Sequence, residues 1–186
     1  MSDLYTGVSL SGKTTLARYH ARELSKKHPN VPVIIHDPVS NTITAGGGWP
    51  EKAEIYDDTG QYMERIIELV HNNQVAFSFV DEAADILSHS HPENYWLATR
   101  GRHYGIHFGF ITQRPKLISP SVRSNCTRVF VFRLAKKDLV EVLADAGHDI
   151  DIIDKPLDTG DFYMLKMGSA DYKRLNVFDI VKSHQE

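Results

Sequence analysis

The feature that most constrains this chain is a glycine-rich stretch near its first residue, Gly7-Val8-Ser9-Leu10-Ser11-Gly12-Lys13-Thr14. It matches the pattern G-x-x-x-x-G-K-[ST], in which the glycines let the backbone curl so that successive N–H groups point at a phosphate. The Lys13 ammonium adds a point charge for the terminal phosphates, and the Thr14 hydroxyl can ligate Mg²⁺. The pattern therefore predicts a nucleoside triphosphate site. The residues expected to contact the nucleotide are Gly7, Val8, Ser9, Leu10, Ser11, Gly12, Lys13, Thr14 and Thr15.

A helix has to begin where this loop ends, because the partial positive charge of a helix N-terminus also favours an anion. Residues Lys13 to Lys27 can form it, since Leu16, His20 and Leu24 recur on one face. Before the loop, only Leu4 to Thr6 are expected to form the strand that feeds it. This shortness indicates either a trimmed sheet or upstream residues that are missing.

Composition limits the classes of protein that this chain can be. Its 186 residues are predicted to form one domain, 1–186, and a formal net charge of −3 argues against binding of nucleic acid through a bulk basic surface. A ring whose lumen alone is basic stays compatible with that charge. The single cysteine, Cys126, rules out an intramolecular disulfide. The chain shows no signal-peptide core and no apolar run long enough for a membrane span, so stable membrane insertion is not expected.

A second signature follows the apolar run Val75 to Val80, which is typical of a buried strand and ends in Asp81 and Glu82. At the carboxyl end of a strand beside the loop, Asp81 would hold the Mg²⁺ shell. Glu82 would lie near the γ-phosphate, where it can orient and deprotonate a water molecule. The alternative is a strand followed by a helix whose acidic first turn suits its dipole.

A third strand, Ile106 to Thr112, ends in Gln113. An amide there, next to the acid-bearing strand, can sense the γ-phosphate or hold the attacking water. A simple cap of the strand end is the alternative. Arg100 and Arg102 lie near the end of a predicted helix at 93–103, and both are expected near the carboxyl edge of the sheet as well.

Strand and helix patterns alternate through the first two-thirds of the chain, which predicts an α/β fold with an open, mostly parallel sheet and helices on both faces. A C-terminal β-hairpin is expected to complete it. The other predicted strands are 31–35, 128–134, 161–167 and 172–178. The other predicted helices are 60–71, 83–88 and 137–146, and Asp58 or Thr59 is expected to cap the first of them. Residues 44–50 are expected to form a glycine-rich loop with Trp49 at its tip. His89 and His91 are interpreted as a polar turn, since no third ligand follows them.

Two segments resemble the FtsK–HerA superfamily of DNA-pumping ATPases, which are P-loop NTPases of the ASCE, RecA-like kind. Val80-Asp81-Glu82-Ala83-Ala84-Asp85-Ile86-Leu87 is similar to the acid motif of that superfamily. More specific is the run from Arg102-His103-Tyr104-Gly105-Ile106-His107 to Ile111-Thr112-Gln113-Arg114-Pro115. An arginine, a Gly-Ile-His step, a strand and a Thr-Gln-Arg-Pro end follow one another there in the superfamily's order. The resemblance covers roughly residues 7 to 134.

The resemblance implies a ring, usually hexameric, that binds ATP between subunits and threads double-stranded DNA through its centre. It implies that Lys13 and Thr14 bind the phosphates and Mg²⁺ and that Asp81 is the metal-shell acid. It further implies that Glu82 is the catalytic base and Gln113 the sensor.

The resemblance also assigns Arg102 to the arginine that one subunit offers to its neighbour's nucleotide. Arg100 and Arg123 are rivals for this role. For each of the three, a surface or interface ion pair is an equally open interpretation.

We expect this chain to have no membrane segment, N-terminal β-barrel or winged-helix domain, in contrast to the larger members. It therefore resembles the minimal genome-packaging ATPases of tailless, internal-membrane viruses with double-jelly-roll capsids. The leading prediction is a packaging motor in the cytoplasm of the host cell, and also at a capsid vertex of the virion, with a capsid-vertex or membrane protein as partner. DNA contacts are expected from Trp49 with Lys52 and from the segment around Lys116.

Three other functions stay open. One is a HerA-like DNA helicase or plasmid-transfer ATPase, which differs from a packaging motor in its partners. Another is a P-loop kinase for a small metabolite, against which the acid pair and the Thr-Gln-Arg-Pro segment argue. The last is a nucleotide-gated binding module that barely hydrolyses.

Overall fold

Strand β1 (Ser2–Thr6) leads into the phosphate-binding loop, and helix α1 (Lys13–Lys27) leaves it. The computed structural model describes residues 2–39, 48–153 and 155–183, and in it every residue of β1 is buried. Leu4 belongs to one apolar cluster and Tyr5 to another, because successive side chains of a strand point to opposite faces of the sheet. The strand predicted at Leu4 to Thr6 therefore begins at Ser2 and is covered on both faces.

The other secondary-structure elements follow in chain order. The strands are β2 (Val33–His36), β3 (Glu54–Tyr56), β4 (Ala76–Val80), β5 (Ile106–Thr112), β6 (Arg128–Val131), β7 (Asp161–Lys166) and β8 (Tyr172–Asn176). The helices are α2 (Thr59–His71), α3 (Ala84–Leu87), α4 (Trp96–Thr99), α5 (Pro120–Arg123), α6 (Lys136–Asp145) and α7 (Val177–Lys182). Short 3-10 turns lie at Pro92–Asn94, Gly101–Tyr104, Pro115–Leu117 and Ile150–Ile152.

The strands form one eight-stranded sheet in the order β3-β2-β4-β5-β1-β6-β7-β8. The pairings from β3 across to β6 are parallel, whereas β7 and β8 pair antiparallel to their neighbours. The predicted α/β class, with a mostly parallel sheet and a C-terminal hairpin, is confirmed. Strands β4, β5, β1 and β6 are adjacent, so their carboxyl ends meet at one edge of the sheet.

Helices cover both faces of this sheet. Tyr62 and Leu69 of α2 and Leu143 of α6 pack in the cluster that contains Leu4. Leu16 of α1 and Val177 of α7 pack in the cluster that contains Tyr5. The terminal helix α7 therefore shares a face with α1, the helix that follows the phosphate-binding loop.

Two local predictions are wrong, and one strand was missed. The helix predicted at 93–103 is instead the short helix α4 between two 3-10 turns. Gly101, in the second turn, packs so closely on Phe108 that a Cβ there would lie 2.4 Å from Cε2 of the ring. The last strand ends at Asn176, whose side chain accepts a hydrogen bond from the Phe178 amide and caps α7. Strand β3 at the sheet edge was not predicted, and a three-residue strand is too short to show a pattern.

Residues 44–47 of the predicted glycine-rich loop lie outside the described residues. Trp49 does not lie at a loop tip: its indole N–H donates to Asp37 Oδ2 at 2.7 Å and its ring contacts Phe79. Among the helices described here, none is both long and apolar enough to cross a membrane.

Candidate nucleotide-binding site

The phosphate-binding loop is fixed to the ends of the strands on both sides of β1. The Gly7 amide donates to the Thr112 carbonyl at 3.3 Å, and the Val8 amide donates to the Arg133 carbonyl at 2.9 Å. Gly12 has a φ of +105°, and a Cβ there would lie 3.0 Å from Val177 of α7. The loop therefore requires a glycine at this position for its conformation and for the close approach of α7.

The loop contains a buried polar atom that the described part of the chain does not satisfy. Ser11 is 1% exposed and its Oγ has no hydrogen-bond partner there. A buried hydroxyl without a partner costs about 1–3 kcal/mol, so such a group in a phosphate-binding loop fits a ligand that supplies the missing bond. This observation supports the predicted nucleotide site.

Lys13 opens α1 and is 6% exposed, with its ammonium 3.5 Å from the Val8 carbonyl. Burial lowers the pKa of Lys13, while the nearby charges of Asp81 and Glu82 act in the opposite direction. A phosphate group would supply the negative charge that a desolvated ammonium requires.

Asp81 follows β4 and lies next to Thr14: the Thr14 hydroxyl donates to Asp81 Oδ2 at 3.3 Å. Burial raises the pKa of Asp81 from its usual 3.8 to about 6, opposed first by the hydrogen bond from the Glu82 amide. No group of three or more His, Cys, Asp or Glu side chains in the described ranges can hold a metal ion. A hydroxyl and one carboxylate fit Mg²⁺, which usually takes one or two carboxylates together with substrate phosphates and water.

The raised pKa of Asp81 has a consequence for stability. The folded protein keeps this carboxyl proton up to about pH 6, whereas the unfolded chain releases it near pH 3.8, so rising pH destabilises the protein across this window. We expect Asp81→Asn to raise the free energy of unfolding above pH 6 by about 2 kcal/mol, which corresponds to a midpoint about 5 °C higher. At pH 3.5 the two proteins should unfold at similar temperatures.

Thermal unfolding without Mg²⁺ or nucleotide, followed from pH 3.5 to 8, measures this effect. Asp85→Asn is the matched control, because Asp85 is an exposed carboxylate on the neighbouring helix. A stabilisation of Asp81→Asn that does not change with pH would contradict the assigned cause.

Glu82 and Gln113 are in direct contact although 31 residues separate them in sequence. The Gln113 amide nitrogen donates to Glu82 Oε1 at 2.7 Å. Glu82 has a φ of +48°, a left-handed conformation that costs a non-glycine residue about 1 kcal/mol. This turn after β4, together with the strand end of β5, brings the acid and the amide together in the cleft.

The cleft has a volume of about 440 Å³ at the carboxyl edge of the sheet. The predicted residues that line it are Ser9, Leu10, Gly12, Lys13, Thr14, Thr15, Asp81, Glu82 and Gln113. The lining residues that the sequence did not indicate are Arg18, Asp37, Val39 and Phe178. Asp37 directly follows β2, and this strand-end position is the signal by which it could have been predicted.

Asp37 belongs to a polar cluster at the side of the cleft. Its carboxylate accepts hydrogen bonds from Arg18 at 3.3 Å and from the Trp49 indole at 2.7 Å. The Arg18 guanidinium also lies 5.2 Å from the centre of the Trp49 ring. This packing gives Trp49 a structural contact in place of the predicted loop-tip position.

The three arginines considered for contact with a neighbouring nucleotide lie in two different places, and Arg123 is the buried one. Arg123 is 3% exposed, and it bonds Glu141, Asp145 and the carbonyls of Pro115 and Ile118. Arg123 therefore forms ion pairs inside its own subunit, in agreement with the ion-pair interpretation, and its side chain is not exposed to a neighbouring subunit.

Arg100 and Arg102 lie before β5, at the amino edge of the sheet, and not at the carboxyl edge as predicted. The seven residues of β5 separate Arg102 from Gln113 by about 20 Å. Both arginines are exposed, and no hydrogen bond or ion pair of their side chains lies within the described ranges. Neither belongs to the cleft of its own subunit.

Two other predicted features lie away from the cleft. His91 contacts Glu93 at 3.1 Å in a turn, which agrees with its interpretation as a polar turn. Lys116, a candidate for DNA contact, forms ion pairs with Asp138 at 3.2 Å and Glu141 at 3.4 Å. Lys52, the other candidate, is exposed.

The sheet, the glycine loop and the strand-end acids define a P-loop NTPase fold. Comparison with family models and with curated protein sequences gives no match. Among solved structures, the chain is similar to the genome-packaging NTPase B204 of Sulfolobus turreted icosahedral virus 2 in complex with sulfate, with a TM-score of 0.72 and 17% identity over 94% of each chain.

Two other solved structures share this fold. The pCW3 conjugation coupling protein TcpA with ATPγS has a TM-score of 0.73 and 17% identity over 100% of this chain and 65% of that chain. The cytoplasmic domain of the Thermomonospora curvata type VII secretion ATPase EccC has a TM-score of 0.64 and 14% identity over 94% of this chain and 25% of that chain. The predicted P-loop NTPase fold is thus shared with these three solved structures.

Proposed function

We propose that this protein hydrolyses ATP and uses the energy to translocate double-stranded DNA, as a viral genome-packaging motor. One observation carries the hydrolytic part: the contact of Glu82 with Gln113 in a cleft that also contains Lys13 and Asp81. A general base and an amide beside a phosphate-binding loop are the groups that attack by water requires. Binding of the nucleotide alone requires neither the base nor the amide.

Each residue of the cleft has a separate part in the proposed reaction. The loop amides and Lys13 bind the phosphates, and Thr14 and Asp81 hold Mg²⁺, which neutralises negative charge on the phosphates when it is bound. Glu82 accepts the proton of the attacking water. Gln113 orients Glu82 and reports the presence of the γ-phosphate.

The proposed DNA-packaging role is supported by the similarity of the fold to that of the viral genome-packaging NTPase, with a TM-score of 0.72. The proposed partners are double-stranded DNA, further copies of this chain in a hexameric ring, and a protein at the capsid vertex or in a membrane. The proposed location is the cytoplasm of the host cell and the vertex of the virion.

A DNA-transfer ATPase of the HerA type is the second candidate. It is favoured by the similarity to TcpA, a conjugation coupling protein, which extends over 100% of this chain. The two candidates share ATP hydrolysis and DNA translocation and differ in the partner that the motor serves.

The test of the proposal is ATP hydrolysis by the purified protein with and without linear duplex DNA, combined with displacement of a triplex-forming strand from that duplex. We expect stimulated hydrolysis and strand displacement. Phosphate transfer to a small acceptor without any effect of DNA would contradict the proposal.

We expect Lys13→Ala to raise the Kd for ATP about 100-fold. Loss of the ammonium removes charge-assisted hydrogen bonds worth about 3 kcal/mol and leaves the phosphates beside Asp81 and Glu82. Isothermal titration calorimetry measures the change. Lys26→Ala on the same helix is the control, because Lys26 is exposed and pairs with Glu23; unchanged affinity of Lys13→Ala would contradict the assigned role.

A further inference from the structure

The exposed ring of Phe178 is an apolar surface beside the phosphate-binding loop that the proposed reaction does not use. Phe178 is 42% exposed although it lies in the first turn of α7, and it lines the nucleotide cleft. A large aromatic ring left partly open to a binding cleft is available to a ligand.

Two backbone hydrogen bonds connect α7 to the phosphate-binding loop. The Gly160 amide donates to the Ser11 carbonyl at 3.0 Å, and the Val177 amide donates to the Gly160 carbonyl at 2.9 Å. Val177 also approaches Gly12 so closely that a Cβ there would lie 3.0 Å from its side chain. The position of Phe178 is therefore fixed relative to the loop.

Gly160 also fixes the ring itself. A Cβ on Gly160 would lie 2.5 Å from Cε2 and 2.6 Å from Cδ2 of Phe178, and Gly160 has a φ of +91°. The ring thus packs on the backbone of Gly160, which only a glycine permits. This contact holds one part of the ring in place while 42% of the residue stays exposed.

The groups that serve the γ-phosphate lie on the other side of the loop. Glu82 and Gln113 follow β4 and β5, which lie on one side of β1 in the sheet. Helix α7 follows β8, which lies on the other side of β1. A nucleotide whose γ-phosphate lies near Glu82 therefore extends its base away from β4 and β5. Phe178 is the aromatic residue that lines the cleft in that direction.

We infer that Phe178 is the platform on which the base of the nucleotide stacks. The inference rests on the proposed function and adds the way in which the base is held. Stacking on an aromatic ring contributes to binding for any base and is stronger for the larger purine rings. ATP is therefore bound more tightly than CTP, and the difference depends on Phe178.

The test compares ATP, CTP and inorganic tripolyphosphate, each with Mg²⁺, by isothermal titration calorimetry. We expect Phe178→Ala to raise the Kd for ATP about tenfold, to raise the Kd for CTP less, and to leave tripolyphosphate binding within twofold. Phe178→Leu keeps apolar bulk over Gly160 and should lose affinity for ATP as well, whereas Phe178→Trp should keep it. Tyr172→Ala is the control, because Tyr172 is 46% exposed and does not line the nucleotide cleft.

Two results would overturn the inference and leave the proposed function standing. One is equal weakening of ATP and tripolyphosphate binding in Phe178→Ala and Phe178→Leu, which would mean that Phe178 only supports the loop. The other is unchanged ATP affinity in both variants. Failure of the wild-type protein to bind ATP at all would instead contradict the proposed function, and the inference with it.

Discussion

The Glu82→Gln variant is expected to bind ATP with nearly the affinity of the wild-type protein and to hydrolyse it about 10³-fold more slowly. A general base contributes about 10²–10⁴ to the rate, and glutamine cannot accept the proton of the attacking water. In the wild-type protein the Gln113 side-chain nitrogen lies 2.7 Å from Glu82 Oε1. The glutamine of the variant keeps an oxygen that can accept this hydrogen bond. The variant thus removes the chemistry and preserves the geometry.

Single-turnover hydrolysis with duplex DNA present, together with the Kd for ATP, measures the two effects separately. Asp85→Asn is the control, because it removes an exposed carboxylate from the helix that follows Glu82. Hydrolysis by Glu82→Gln at the wild-type rate would show that the protein is a nucleotide-gated binding module. Loss of ATP binding would assign Glu82 to the binding of the nucleotide.

The cleft residues could be predicted because their signals are local. The glycine spacing predicted the loop that begins at Gly7, and α1 has the predicted bounds, Lys13–Lys27. Strand β5 also has its predicted bounds, since a mostly apolar run that ends in Thr112 is typical of a buried strand. Parallel strands then bring their carboxyl ends together, which is why Asp81 and Gln113 meet in one cleft.

The residues that were misplaced depend on contacts between distant parts of the chain. Arg123 ends a short helix and has the sequence context of a surface arginine, but Glu141 and Asp145 of α6 fold over it. Arg102 was predicted near the carboxyl edge of the sheet because it is close to β5 in sequence. It precedes β5, however, and therefore lies at the amino end of that strand. Neither pairing nor strand direction is visible in a local pattern.

The role of the C-terminal elements was also hidden from the sequence. Residues 172–178 were predicted to form one continuous strand, because a helix as short as α7 lacks a 3.6-residue pattern. In the structure β7 runs antiparallel to both β6 and β8, and α7, which follows β8, packs against Gly12. The hairpin therefore connects the far edge of the sheet back to the phosphate-binding loop.

The position of Arg102 leads to the second expected result. Arg102 is about 20 Å from Gln113 along β5, and a side chain cannot cross that distance to the nucleotide of its own subunit. In a ring, the amino edge of one subunit can face the carboxyl edge of the next, and an exposed arginine there can contact the next nucleotide. We expect Arg102→Ala to bind ATP normally and to lose DNA-stimulated hydrolysis by about 10³-fold, the lower end of the effect of an arginine supplied in trans.

Mixing two inactive variants tests the trans arrangement directly. When Arg102→Ala subunits alternate with Glu82→Gln subunits, the nucleotide of an Arg102→Ala subunit has an intact Glu82 and receives Arg102 from its neighbour. Random mixing at equal amounts restores such sites at up to about a quarter of the interfaces, so two inactive proteins should together hydrolyse ATP. Arg100→Ala, which removes an exposed arginine two residues away, is the control for this surface. The control should hydrolyse ATP by itself. An Arg100→Ala protein that is inactive alone and recovers on mixing with Glu82→Gln, together with an active Arg102→Ala protein, would transfer the role to Arg100. No recovery of inactive Arg102→Ala on mixing would contradict catalysis between subunits.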